Sequence, residues 1–394
     1  MTQFPKKNLF YIPDGMIYLD GNSLGPIPKA APAAIQNMLT GEWGEMLIRG
    51  WNNAGWMAQP SNLGNQIAPI IGAEPDSVAV GDTLSIKVFQ ALAAALNLNP
   101  DRCKILSDNG NFPTDLYMAE GLIRTIGKNH QLVTVDPEEV IDQIDADTAV
   151  VMLTQVDYRT GRLHDTKAIT NAAHAAGAVM IWDLAHSAGA MPIDLAGAEL
   201  AVGCTYKYLN AGPGAPAFIY VRPDLANKIQ PALSGWLGHD APFAFEQNYR
   251  PGKAIERMRV GTPPVIQMAS LQVALDIWKN VNLTELRATS VHLSERFIAG
   301  IEANCPDLTL ASPRDPNARG SQVSFAFEDG YAAMQAIIDR NVIGDFRAPN
   351  IMRFGFTPLY LDETDIDAAV EIIAEVMTSK SYNIAKYQTR KAVT

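Results

Sequence analysis

The chain has 394 residues, with 31 Lys and Arg against 42 Asp and Glu, a formal net charge of −11 at pH 7. An acidic balance of this size disfavours a nucleic-acid partner, and 47% hydrophobic with 19% charged residues is a globular composition, neither disordered nor coiled-coil. The longest apolar runs, 91–96 and 215–221, fall far short of the roughly 20 residues of a membrane-spanning helix. The first ten residues have no apolar stretch of the kind a secretory signal carries, so a cytoplasmic protein is expected. Cys103, Cys204 and Cys305 form no ligand spacing, and the six histidines show no HExxH pairing, so no metal site is expected.

In chain order, residues 1–45 are rich in Gly and Pro around Asp20-Gly-Asn-Ser-Leu-Gly-Pro26 and read as an ordered arm that joins the C-terminal unit. From about 75 to 270 short apolar strands alternate with helical patterns. A helix is predicted at 86–96, with strands at 104–106, 131–135 and 149–153. Asp165 then opens an alanine-rich helix that Gly177 closes, and a strand follows at 179–182. Runs that are apolar throughout suit parallel strands covered on both faces, and the 149–182 stretch makes a βαβ unit. Strands at 201–205 and 217–221 and a helix at 264–277 complete the pattern. The fold class is α/β, with a mainly parallel sheet in a large unit at 46–280. A smaller α+β unit at 281–394 has helices at 290–304, 331–340 and 364–379, the last capped by Thr364, and strands at 322–327 and 351–355.

Open α/β sheets bind ligands at the carboxyl ends of their strands, so polar residues that follow apolar strands are the first candidates for a site. Asp183 follows Val179-Met-Ile-Trp182 and leads to His186; a helix cap beside a satisfied core histidine is the plain alternative. Tyr206 and Lys207 follow the next strand, where partial desolvation favours the neutral amine that condenses with carbonyls, or where the lysine is simply an exposed turn residue. Taken together, a strand-end acid and a lysine match pyridoxal phosphate (PLP). That cofactor needs a lysine for its imine and an acid to keep its ring nitrogen protonated. Phe112 offers a ring face, or else a hydrophobic staple. Leu84 and Ser85 precede a helix whose N-terminus suits a phosphate as well as an ordinary cap, and Trp236 and Thr262 are further possible donors. Gly212-Pro-Gly-Ala-Pro-Ala217 fits a dinucleotide-binding string but precedes a strand and opens no helix, so a nicotinamide site is rejected. Neither GxxxxGK[ST] nor GxSxG occurs.

Over nearly its whole length the chain resembles kynureninase, the fold type I PLP hydrolase of tryptophan catabolism. The resemblance runs through Tyr18-Leu-Asp-Gly-Asn-Ser-Leu-Gly25, Phe112-Pro-Thr-Asp115, Tyr158-Arg-Thr-Gly161, Trp182-Asp-Leu-Ala-His186, Thr205-Tyr-Lys-Tyr-Leu-Asn-Ala-Gly212, Gly235-Trp-Leu-Gly-His239 and Arg353-Phe-Gly-Phe-Thr-Pro-Leu-Tyr360. It implies a homodimer with PLP joined to Lys207, Asp183 on the ring nitrogen, His186 beside the ring and Phe112 stacked on it. Leu84, Ser85, Asp115, Thr154, Tyr206, Trp236 and Thr262 are implied to complete the cofactor shell, with Tyr206 doubling as a proton donor. Arg353 is implied to hold the substrate α-carboxylate as a bidentate pair, and Asn22 and Trp51 to line the aryl end of the pocket. Without the resemblance, Arg353 reads as half of a surface salt bridge. Two positions depart from the pattern: Thr262 stands where some members have Asn, and Trp51 where animal enzymes have His, which leans toward unhydroxylated kynurenine. The implied reaction is hydrolysis of L-kynurenine, or its 3-hydroxy form, to anthranilate, or 3-hydroxyanthranilate, and L-alanine. The alternatives are another fold type I enzyme, such as a cysteine desulfurase or an aminotransferase, and a non-catalytic scaffold. The desulfurase needs a mobile nucleophilic cysteine, for which Cys305, at a helix end before Pro306, is a poor candidate.

Overall fold

A computed structural model describes residues 4–127 and 129–390. The arm contributes a short strand, β1 (Ile17–Tyr18). Seven further strands, β2 (Val78–Val80), β3 (Lys104–Asp108), β4 (Gln131–Val135), β5 (Thr148–Thr154), β6 (Val179–Asp183), β7 (Leu200–Gly203) and β8 (Phe218–Val221), make the main sheet in the order β2-β8-β7-β6-β5-β3-β4. From β7 through β6, β5 and β3 to β4 every pairing is parallel; β8 runs antiparallel to both β7 and β2. The carboxyl ends of β2, β3, β5, β6 and β7 therefore share one edge.

Alternation along the strands explains why their apolar runs are unbroken. In β5, Val150 and Met152 pack with Val88, Ala91 and Leu92 of the helix Leu84–Leu98 and with Leu122, whereas Val151 and Leu153 face Ile169, Ala173 and Leu271 on the other side. Both faces of the sheet are covered, which is what a parallel sheet requires. The βαβ unit is as expected: Asp165 accepts a hydrogen bond from the Ala168 amide at the start of the helix Thr166–Ala176, and Gly177 ends it in the left-handed conformation.

A second, antiparallel sheet is built from β9 (Thr309–Leu310), β10 (Gln322–Ala326), β12 (Asp345–Arg347) and β13 (Ile351–Gly355), in the order β12-β13-β10-β9. The intervening strand β11 (Val342–Ile343) pairs in parallel with β1, so the arm is tied to the C-terminal part of the chain. Several helix starts differ from expectation, two of them for a reason the caps show. The helix Glu363–Ser379 is capped by Asp362, not Thr364, because Asp362 and Asp365 exchange side-chain and backbone hydrogen bonds in a capping box. The helix Leu283–Asn304 begins ahead of residue 290 because Asn282 accepts from the Thr284 and Glu285 amides. No helix among the described residues is long and apolar enough to cross a membrane.

Candidate active site

Five strand ends converge on the residues singled out from the sequence. After β2, the helix Leu84–Leu98 starts at Leu84 and Ser85, inside its first turn, with Thr83 as its cap. After β3, Phe112 caps the helix Pro113–Ile126 and Asp115 lies in its first turn. Thr154 ends β5 directly opposite Asp183, which ends β6. Beyond β7 the chain turns through Tyr206 and Lys207, both half-buried. Gly25 of the arm lies against this turn: its amide donates to the Tyr206 carbonyl at 2.8 Å, and a Cβ there would meet the Lys207 carbonyl at 2.4 Å. Only glycine allows so close an approach.

Lys207 Nζ is 2.8 Å from His186 Nε2 and 5.9 Å from the centre of the Tyr206 ring. Burial, then the positive charges of Lys207, Arg353 and Arg347, holds the His186 imidazole well below its ordinary pKa, so it is neutral at pH 7. Its Nδ1 is buried without a hydrogen-bond partner. Burial raises the Asp183 carboxyl, and Lys207 opposes that rise. Burial and the neighbouring Asp183 push Asp115 up further, and Asp115 Oδ2 is also buried without a partner. Two buried acids, one with an orphaned oxygen, are what a cationic ring N–H would satisfy. The amine of Lys207, a neutral histidine and this acid pair therefore fit PLP. Tyr206, whose hydroxyl burial also raises, keeps its proton at neutral pH.

The ring contacts fall in two groups. Phe112 meets Tyr158 edge-on, with centroids 5.2 Å apart, and remains 41% exposed. Trp51 contacts Trp56 and Trp236, Trp236 contacts Phe243, and Phe243 contacts Phe245, a ladder of rings from a buried tryptophan to an exposed phenylalanine. Thr262 is exposed, in the turn before the helix Val265–Trp278. Asn22 is fully buried, donates to Gln322 at 3.3 Å and lies against Gly355.

Arg353 is 1% exposed, so the surface-salt-bridge alternative is wrong. It lies directly across from Asp345 in the β12–β13 pairing. Its Nε donates to Asp345 Oδ1 at 2.5 Å and its Nη2 to Asp345 Oδ2. Nη2 also donates to Ser23 Oγ at 2.9 Å, and Nη1 donates to the Tyr158 carbonyl. Ser23 in turn donates to Asp345 Oδ2 at 2.6 Å. Tyr158 is held by the Asp157 turn, where Asp157 Oδ1 accepts from the Arg159 and Thr160 amides. Asp345, Ser23 and Tyr158 were given no role from the sequence. Ser23 and Tyr158 lie within motifs that carry the resemblance, and only the strand register reveals Asp345.

A family model described as the kynureninase C-terminal domain matches residues 286–373. The kynureninase of Pseudomonas fluorescens is 49% identical over 399 aligned residues, covering 99% of this chain and 96% of that protein. The chain belongs to the kynureninase family. Among solved structures, an apo cysteine desulfurase from Thermococcus onnurineus NA1 superposes with a TM-score of 0.80 at 17% identity, covering 96% of this chain and 99% of that one. A C-DES variant with glycine covalently linked to its PLP cofactor gives 0.80 at 18% identity, covering 94% and 99%. These likenesses establish the fold type I architecture shared by kynureninases and desulfurases. They do not carry the desulfurase chemistry: Cys305 is 1% exposed and burial pushes its thiol up to about 11, the reverse of an activated nucleophile. Among the described residues, no group of three or more His, Cys, Asp or Glu could hold a metal.

Proposed function

We propose that this chain is a PLP-dependent hydrolase that cleaves L-kynurenine to anthranilate and L-alanine. The observation that carries the reading is the meeting of Lys207, neutral His186 and the Asp115–Asp183 pair at the carboxyl ends of β3, β6 and β7, in a chain nearly half identical to a kynureninase. When bound, PLP supplies an electron sink for the carbanion formed at the substrate α-carbon and for the bond then broken.

Asp183, which interacts with Asp115, would hold the ring nitrogen cationic. Phe112 would support the ring face, and Leu84, Ser85, Thr154, Trp236 and Thr262 would complete the shell, with the helix start at Leu84 supplying amide donors suited to a phosphate. Lys207 would take the proton of the substrate α-carbon onto Nζ; a neutral His186 beside it does not compete as a charged acid. Tyr206 keeps its proton and can donate to the γ-carbonyl oxygen as water adds there. Arg353 binds the α-carboxylate and Trp51 borders the aryl ring. The division into an arm at 1–45, a large unit at 46–280 and a small unit at 281–394 is supported by the two separate sheets and the β1–β11 pairing. A homodimer is supported by apolar side chains left exposed, Phe243 and Phe245 at the outer end of the Trp51 ladder and Leu47 and Ile48 in the segment that precedes Trp51; a cytoplasmic location accords with the sequence.

Mixing PLP-loaded protein with L-kynurenine is expected to yield anthranilate fluorescence and L-alanine in equal amounts. Failure to release anthranilate, or release of alanine from L-cysteine at a greater rate, would overturn the substrate assignment. Sedimentation equilibrium is expected to give twice the 42.7 kDa chain mass, and an active species that sediments at the single-chain mass removes the dimer.

A further inference from the structure

A guanidinium has five N–H donors, and a bidentate pair with a carboxylate uses two of them. Arg353 has already committed four: Nε to Asp345, Nη2 to Asp345 and to Ser23, and one of Nη1 to the Tyr158 carbonyl. One Nη1 donor is left, too few to clamp a substrate carboxylate by itself without breaking this network. The same Asp345 Oδ2 is also ion-paired with a second guanidinium, Arg347 Nη2, at 2.8 Å. Arg347 spends one Nη1 donor on the Phe346 carbonyl and is 33% exposed at its side chain, against 1% for Arg353.

Two cations thus share one carboxylate. The other acid in the cluster is Asp20, whose Oδ1 is buried without a partner. Burial and Asp345 push its carboxyl up to about 7, so near neutrality it is only partly charged. The cluster therefore carries more positive than negative charge, and both arginines act electrostatically on His186. We propose that Arg347 is a second carboxylate-binding arginine, taking one oxygen of the substrate α-carboxylate while the remaining Nη1 donor of Arg353 takes the other. This rests on the amino-acid substrate proposed above and assigns Arg347 a direct contact with it.

The test compares L-alanine, which carries the carboxylate, with L-alaninamide, which lacks it, by calorimetric titration of the PLP-loaded protein. Arg347→Gln is expected to weaken L-alanine about ten-fold, the worth of one charge-assisted hydrogen bond, and to leave L-alaninamide within about two-fold. Arg347→Lys, which keeps the charge and the ion pair with Asp345, is expected to lose less, and it keeps the test readable if the glutamine variant folds poorly. A group acting only through Arg353 has no effect once Arg353 is gone. In an Arg353→Gln background, Arg347→Gln is therefore expected to cost at least about a further three-fold. Undiminished L-alanine affinity, equal losses for both ligands, or no further loss in the double variant overturns the proposal. Because binding is read without turnover, a wild-type protein that prefers L-alanine as expected but leaves kynurenine intact overturns the kynurenine assignment and not this one.

Discussion

Lys207→Ala is expected to remove the visible absorbance of the bound cofactor and to lower turnover of kynurenine by at least about 10³-fold, the scale of losing a positioned proton-transfer group. The loss is large because no neighbouring amine can stand in. Lys87, in the first turn of the helix after β2, is buried and engaged by Asp82 at 3.2 Å, Gln90 at 2.9 Å and the Met258 carbonyl. His186 is neutral and already oriented by Lys207, so it offers a weak base and no amine. The fold is expected to survive, since Lys207 is half-buried and its one side-chain hydrogen bond is to His186; a thermal midpoint within a few degrees of wild type checks this. Absorbance spectra with single-turnover assays decide the matter. A variant that stays yellow and retains turnover within ten-fold of wild type contradicts the assignment.

Much of this site is legible in the sequence because Thr154, Asp183, Tyr206 and Lys207 stand at or just beyond the end of an unbroken apolar run. β5 and β6 read as strands because both faces are buried, and that burial forces apolar residues at consecutive positions up to Thr154 and Asp183. The polar residue that ends such a run then stands out. Arg353 is different. Its environment is made by Ser23 from the arm, Tyr158 from a loop beyond β5 and Asp345 across a hairpin, and nothing local to residue 353 signals burial. The spacing from Asp345 to Arg353 gains meaning only once the register of β12 on β13 is known. The cap at Asp362 was missed for a related reason: Thr364 and Asp362 are both good caps by type, and the reciprocal bond from Asp365 decides between them. Asn22, which the resemblance sets at the aryl end, is fully buried against Gln322 and Gly355, a setting that no local pattern around residue 22 signals.

Arg353→Lys is expected to raise the KM for kynurenine by about 10² or more and to leave PLP affinity within a few-fold, because an ammonium is a point charge where the structure uses a planar fork. Lysine cannot meet both oxygens of Asp345, the Ser23 hydroxyl and the Tyr158 carbonyl at once, so at least one buried partner is left unsatisfied, at about 1–3 kcal/mol. A loss of thermal stability should therefore accompany the kinetic defect. Asp345→Ala separates the two effects. It keeps the guanidinium but strips its counter-charge beside Arg347, and the uncompensated buried cation should cost about 3–5 kcal/mol, more than the lysine variant loses. Its remaining activity reports how far Arg353 depends on that carboxylate for its orientation. Denaturant titration read beside steady-state kinetics tests the pair. If Arg353→Lys weakens PLP and kynurenine equally, Arg353 does not belong to the substrate side of the site, and if Asp345→Ala is as stable as wild type, the buried pair does not hold the arginine.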